Sequence, residues 1–340
     1  MAQHGRSFFV GCMMRILITG GSGFIGTHLI ENLFSWGKNV LNIDVKSPVI
    51  SSHHDCWKEC DILDRTALFS EFHNYRPTHV VHLAARTDMA GKDLDSYRSN
   101  TEGTFNVLEA VKSTASIERI IITSSQFVYQ FSGKPKHAET YAPHTVYGES
   151  KVLTEKYTRE ADFSCVWTII RPTNIWGPWH PRYPVEFWRV LKKGGYLHPG
   201  RKPVMRMYGY VGNVVDQILN IFKLAPEKVN GKVLYVGDPA INLLDWVNGF
   251  SLALLGRDVT IVPRVAVRSL ALVGDLFSTL DVSFPITSSR YRSMTVDNEV
   301  SMEETFALLG PPLYSLQEGI DETVKWLIGQ DPQFWTPSRS

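Results

Sequence analysis

The chain is 340 residues long, 44% hydrophobic and 20% charged, with a formal net charge of +1. That composition can bury a large core in one long domain or two, and the balanced charge gives no general reason to expect nucleic acid or an anionic membrane as partner. No apolar run reaches the roughly eighteen residues of a transmembrane helix. The nearest, 265–280, is interrupted by Arg268 and Asp275 and reads as an amphipathic surface or lid helix.

Residues 1–13 carry one Arg and a short apolar patch, too little for a signal peptide, and are set aside as an extension or cloning remnant. The fold is organised around residues 15–26, RILITGGSGFIG. An apolar strand runs into a glycine turn that opens a helix, with Ile25, Leu29 and Leu33 at helical spacing. Gly21, Gly23 and Gly26 spell G-x-G-x-x-G, and Gly20, Gly23 and Gly26 the related G-x-x-G-x-x-G. Glycines permit the tight turn, let backbone approach a pyrophosphate and let helix pack on strand, while the helix N–H groups face the phosphates. A second strand, 39–43, ends in Asp44, about twenty residues on, where a carboxylate hydrogen-bonds an adenosine ribose. The acid favours NAD, and Lys46 close by leaves NADP open.

Cys12, Cys56, Cys60 and Cys165 do not make a disulfide framework in a chain this long, which favours a reducing cytoplasm. His53, His54, Cys56 and Cys60 match no standard zinc spacing, and a third strand at 56–61 would send alternate side chains to opposite faces. Free thiols, a surface histidine pair and no metal are the expectation. A helix at 65–73, a buried run at 79–84, a helix at 95–113, strands at 119–123 and 165–170 and a helix at 147–160 follow. Near-continuous Val/Ile strands between helices predict a parallel sheet covered on both faces, a doubly wound Rossmann-type α/β fold with ligands at the carboxyl ends of the strands.

After Arg171-Pro172 the texture changes: 173–210 is rich in Pro, Gly, Trp and Tyr without periodicity. A helix at 211–224 and a strand at 232–236 return towards the sheet. The expected division is 14–175 plus about 211–238 for the cofactor domain, about 176–210 plus 239–330 for a smaller, discontinuous C-terminal substrate lobe, and 331–340 for a mobile tail.

Tyr147 and Lys151 are four apart in a predicted helix and so share a face. A phenol with its ordinary pKa of about 10 is a poor base at neutral pH, and a neighbouring ammonium and an oxidised nicotinamide both favour the phenolate. Ser125 lies just past the carboxyl end of the strand at 119–123, on the ligand edge.

Together these motifs resemble the extended short-chain dehydrogenase/reductase family, which contains nucleotide-sugar epimerases, dehydratases and reductases. The resemblance runs through GGSGFIG, Asp44, Asp61-Ile62, His82-Leu83-Ala84-Ala85, Asn100, Ser125-x-x-Val128-Tyr129, Tyr147-x-x-x-Lys151 and Arg171-Pro172-Thr173-Asn174. It implies a cofactor site of Gly20, Gly23, Phe24, Ile25, Gly26, Asp44, Asp61, Ile62, Leu83, Ala84, Ala85, Asn100 and Lys151. Tyr147 is implied as acid/base, Lys151 as its tuning partner and Ser125 as the hydroxyl on the reacting oxygen, with His82 a core residue. Asn174, Arg206 and Arg290 (or Arg292) are implied for a sugar-nucleotide diphosphate, which guanidinium groups bind in bidentate fashion.

In the family's 4,6-dehydratases an Asp-Glu pair follows the catalytic hydroxyl residue, and in its 3,5-epimerase/reductases a cysteine stands two after the serine. Here Gln126 and Phe127 fill those places and neither transfers a proton, which disfavours dehydration. Hydride chemistry at one sugar carbon remains, as a 4-epimerase or a 4-ketoreductase/dehydrogenase. Tyr210-Val211-Gly212-Asn213-Val214, with asparagine where many of these enzymes have aspartate, together with Gly237-Asp238-Pro239 and Val262-Pro263, is similar to the 3β-hydroxysteroid dehydrogenase branch, which acts on apolar alcohols. Trp176, Trp179, Phe187 and Trp188 are candidates to line such a pocket. A non-catalytic NAD-sensing protein is the third reading. The resemblance also implies a cytoplasmic homodimer joined through the helices at 95–113 and 147–160.

Overall fold

The computed structural model describes residues 14–129, 135, 137–278 and 286–336; the extension at 1–13 with Cys12, and the far ends of the 265–280 and 331–340 segments, lie outside them. Six strands alternate with helices in the first half: β1 Arg15–Thr19, β2 Asn39–Asp44, β3 Trp57–Glu59, β4 His79–His82, β5 Arg119–Thr123 and β6 Val166–Pro172. The helices between them are α1 Phe24–Ser35, α2 Arg65–Tyr75, α3 Glu102–Lys112 and α4 Val146–Glu160. Beyond β6 come short pieces: β7 Asn174–Trp176, α5 Arg189–Lys192, β8 Leu197–Pro199, β9 Met205–Arg206 and β10 Tyr208–Tyr210. Then α6 Val211–Lys223, α7 Pro226–Val229 and β11 Lys232–Val236 bring the chain back to the sheet. The sheet is parallel throughout, in the order β11-β6-β5-β4-β1-β2-β3.

Alternation along β1 sorts the two faces. Ile16 and Ile18 pack with Leu29, Ile30 and Leu33 of α1 and Val214 and Ile218 of α6. Leu17 packs the other way, with Leu68 and Phe72 of α2 and Val107 and Val111 of α3. Each such fully buried side chain contributes about 1.5–3 kcal/mol. This is a Rossmann-type sheet between two helical layers.

The remaining chain forms β12 Ile241–Asn242, α8 Leu243–Leu255, β13 Thr260–Val262, α9 Arg264–Ser278, α10 Ser288–Thr295, α11 Glu303–Leu309, α12 Leu316–Gln330 and α13 Pro332–Trp335. Three two-stranded pairings, β7 with β10, β8 with β13 and β9 with β12, tie these pieces together. Trp176, Trp188, Trp246 and Phe250 form an aromatic nucleus continuous with the α1 side of the sheet.

Four expectations are corrected. The helix at 95–113 is a 3₁₀ turn, Asp95–Tyr97, followed by α3 from Glu102, because the Asn100 amide is spent on the Arg86 backbone and on Ser150. The third strand starts only at Trp57, after a 3₁₀ turn Ser51–Cys56. That turn buries His53 against Glu31 (2.9 Å) and the edge of Phe34, so His53 is not a surface residue. The tail at 331–340 is helical over α13, with Asp331 as its N-cap and Trp335 buried. Among the described residues no helix is long and apolar enough to cross a membrane.

Candidate active site

The carboxyl ends of β1, β2 and β4 meet at the glycine turn. Gly20 has φ +74°, and a Cβ there would lie 2.5 Å from the Ala84 backbone nitrogen. A Cβ on Gly26 would lie 2.5 Å from Gly21 Cα. The turn therefore sits directly on the 83–85 segment, which Thr19 holds by accepting from Leu83 N (2.9 Å) and Ala84 N (3.3 Å). The Thr19 hydroxyl also meets His82 Nδ1 (2.7 Å), whose other nitrogen meets Thr104 (3.0 Å). Burial drives the His82 pKa down to about 3, so the ring is neutral and its role is to join β1, β4 and α3.

Helix α1 starts at Gly23 with no side-chain cap, leaving its first N–H groups for an anion. Phe24 and Ile25 form its first turn. Asp44 closes the rim, accepting from Ser22 N and Lys46 N (both 3.0 Å); burial raises its pKa against those hydrogen bonds. Asp61 is exposed and Ile62 buried, the latter against Gly103, where a Cβ would come within 2.6 Å of Ile62 Cδ1. The crowded glycines, the uncapped helix and the carboxylate at the end of β2 fit a dinucleotide. Asn100 departs from expectation: fully buried with its amide committed, it positions the loop after Ala85 rather than facing a ligand.

Thr145 caps α4 by accepting from Gly148 N (3.0 Å), which sets Tyr147 in the first turn and Lys151 one turn on. The strand β5 ends beside them. Lys151 Nζ donates to Thr123 O (2.9 Å), and the Tyr147 hydroxyl hydrogen-bonds Ser125. Ser125 also accepts from Phe127 N (3.2 Å), which folds the 3₁₀ turn Gln126–Val128. Ser125, Tyr147 and Lys151 are thus brought together and buried. Burial pulls the Lys151 pKa down to about 8, against the pull of Glu155. Burial also raises the Tyr147 pKa, opposed by Ser125 and by the Arg182 charge. The Lys151 ammonium is directed at the Thr123 carbonyl, and burial is the largest influence on Tyr147.

One residue was missed, and a second was weighed only for proton transfer. Glu155, four after Lys151 on the same helix face, is buried and accepts from Arg171 (2.7 and 2.8 Å), Ser124 (2.6 Å) and Tyr141 (3.0 Å). Its spacing from Lys151 was the available signal. Gln126 is buried beside Ser125 with neither amide atom hydrogen-bonded, a polar group that a substrate would satisfy.

Beyond β6, Asn174 starts β7 and its N–H donates to Met207 O (3.1 Å). Arg206 is buried, donates to Val296 O (3.1 Å) and lies over the Tyr208 ring. Arg290 faces Glu186 at 3.9 Å on the wall of a cavity of about 200 Å³. That cavity is lined mainly by Tyr183, Phe187, Tyr196, Tyr208 and Trp246, and its lining contains neither Tyr147 nor Asn174. Of the aromatics expected there only Phe187 takes part; Trp176 and Trp188 are core, and Trp179 packs on Trp326. Asn213 donates to Asp238 (2.7 Å) and Tyr314 O (2.9 Å) and accepts from Tyr314 N (2.7 Å).

The "Probable dTDP-glucose 4,6-dehydratase" of Sinorhizobium fredii is 28% identical over 60% of this chain and 63% of its own length, so the chain spans less than two thirds of it. A relative named "N-acetyl-alpha-D-glucosaminyl-diphospho-ditrans,octacis-undecaprenol 4-epimerase", from Escherichia coli O157:H7, is 26% identical over 92% of this chain and 94% of its own. The structure of a UDP-glucose 4-epimerase from Thermotoga maritima superposes with a TM-score of 0.71 at 22% identity, covering 93% of this chain and 99% of that one, and so shares the fold. The profile of the NAD dependent epimerase/dehydratase family matches residues 16–237, and the chain belongs to that enzyme family, whose cofactor is NAD.

Proposed function

We propose that this protein transfers hydride at one carbon of a nucleotide-diphosphate sugar, as a 4-epimerase in first place and a 4-ketoreductase or dehydrogenase in second. The observation that carries it is the buried cluster of Ser125, Tyr147 and Lys151 at the carboxyl edge of the sheet. Bound NAD would supply a reversible hydride acceptor for the sugar carbon. Gly20, Gly23 and Gly26 would hold its pyrophosphate, Asp44 its adenosine ribose, and Lys151 its nicotinamide ribose. Tyr147 takes the proton of the sugar hydroxyl, and Ser125 hydrogen-bonds the same oxygen.

Gln126 and Phe127 have no titratable group for the C5 proton, which weighs against dehydration despite the dehydratase relative. The 4-epimerase relative that spans nearly the whole chain supports the choice of carbon. Asn174, Arg206 and Arg290 are assigned to the diphosphate side of the substrate, and the substrate lobe to about 176–210 plus 239–330. An apolar secondary alcohol is kept as a second reading because the cavity is walled mainly by aromatic rings. We assign a homodimer contact to α3 and α4, where Phe105 stays exposed beside Tyr157.

Incubation with UDP-, GDP- and dTDP-sugars and catalytic NAD, followed by mass spectrometry, tests the reading: a product of unchanged mass and shifted retention is expected. Tyr147→Phe should lower turnover by about two to four orders of magnitude with NAD still bound. Sugars all returned untouched, or normal turnover by the variant, would refute it.

A further inference from the structure

The proposed chemistry leaves one face of the lobe unused. Helix α9 turns Val267, Ala271 and Gly274 inward, at the four- and three-residue spacing of a buried stripe. Its opposite side is also apolar. Val265 is 76% exposed and Leu272 61%, seven residues apart and so in line along the helix, with Val273 (45%) beside them. Single exposed apolar residues are ordinary, but an apolar line facing away from the core is a contact surface.

The end of this line is cationic. The loop after β8 carries exposed Arg201 and Lys202, and it lies on the start of α9, since a Cβ on Gly200 would come within 3.5 Å of Arg264 Cγ. Arg264 donates to Pro199 O (3.3 Å), and Arg268 follows one turn later, exposed. The sole carboxylate of α9, Asp275, stands towards the other end and accepts from Ser288 N (2.9 Å).

We propose that this face docks on the surface of an anionic phospholipid bilayer. Val265 and Leu272 enter the boundary of the acyl chains, and the exposed Arg201, Lys202 and Arg268 meet lipid phosphates, while Arg264 ties the loop to the helix. An apolar line flanked by Arg and Lys is the composition that lies in the headgroup layer without spanning the membrane. A second copy of the chain fits less well, because its α9 would offer these three exposed cations one carboxylate that is already engaged. The whole-chain charge of +1 averages this cluster away, which is why composition argued against a membrane partner.

Flotation of the full chain with vesicles is the test. Binding is expected to vesicles containing roughly a third phosphatidylglycerol in phosphatidylcholine, and not to phosphatidylcholine alone. Val265→Asp with Leu272→Asp should cut the bound fraction about tenfold, and Arg201→Glu with Arg268→Glu should do likewise. Both should keep wild-type thermal melting and NAD titration. No binding of the wild type, equal binding to both vesicle types, or undiminished binding by both variants would overturn the proposal. So would a variant that changes only the oligomeric state by light scattering. None of these readouts requires turnover, so the outcome is separate from that of the Tyr147 chemistry.

Discussion

Around the glycine turn, backbone meets backbone: Gly20 lies against Ala84, and Gly26 against Gly21, at separations that admit no Cβ. Around the lobe cavity, ring meets ring instead, with Phe187 and Trp246 centroids 4.8 Å apart and Tyr208 and Trp246 4.7 Å apart. The first kind of contact accepts one residue type at each position. The second accepts any side chains of suitable volume and shape. A region of the first kind leaves a motif in its sequence, and a region of the second kind leaves only a composition.

The largest effect that would sharpen this contrast is expected at Glu155. Its carboxylate takes two hydrogen bonds from buried Arg171 and one each from Ser124 and Tyr141. Glu155→Ala leaves the guanidinium buried without its partner and should cost about 3–5 kcal/mol in denaturant unfolding. A loss below about 1 kcal/mol would show that water replaces the carboxylate and that the network is dispensable. Next comes Gly20→Ala. The new Cβ meets main chain rather than a flexible side chain, at positive φ, so a loss of about 1–3 kcal/mol is expected together with failure of NAD binding in a titration. Wild-type affinity in that variant would mean the turn is not shaped for the cofactor. On the other side of the contrast, Phe187→Leu should cost less than about 1.5 kcal/mol, because ring packing around a cavity can readjust. A loss as large as that at Gly20 would erase the distinction.

The same contrast explains what could be read from the chain alone. The sheet, the turn and the placing of Ser125, Tyr147 and Lys151 were legible because each leaves a local pattern: an apolar run in β1, i and i+4 in α4, glycines where a Cβ has no room. Cys56 was misread as strand and His53 as a surface residue because the Ser51–Cys56 turn rests on a long-range partner, Glu31, which no local pattern announces. The aromatic positions of 173–210 were equally opaque. Trp176 and Trp188 turned into the core while Tyr196 and Tyr208 faced the cavity, a choice made by tertiary packing. Arg206 shows the limit for charged groups, since its burial against Val296 depends on a segment ninety positions away.

Asn213 was the one departure that pointed to another branch of the family, and the structure gives it a local cause. Its amide donates to Asp238, a carboxylate that also accepts from Tyr210 N at 2.7 Å. An aspartate at 213 would set two carboxylates side by side, a repulsion that the amide of Asn213 avoids. Burial outweighs these two hydrogen bonds and raises the Asp238 pKa from an ordinary 3.8 to about 7. The sign follows: between those values the folded chain holds a proton that the unfolded chain has released, so stability falls as pH rises from about 4 to about 7 and levels off above. Asp238→Asn, which cannot ionise, should lose that slope. Thermal melting from about pH 5 to about pH 8 should show the wild type declining by a few degrees relative to the variant. Parallel profiles would mean that Asp238 is ionised in the folded state, with its two donors outweighing burial.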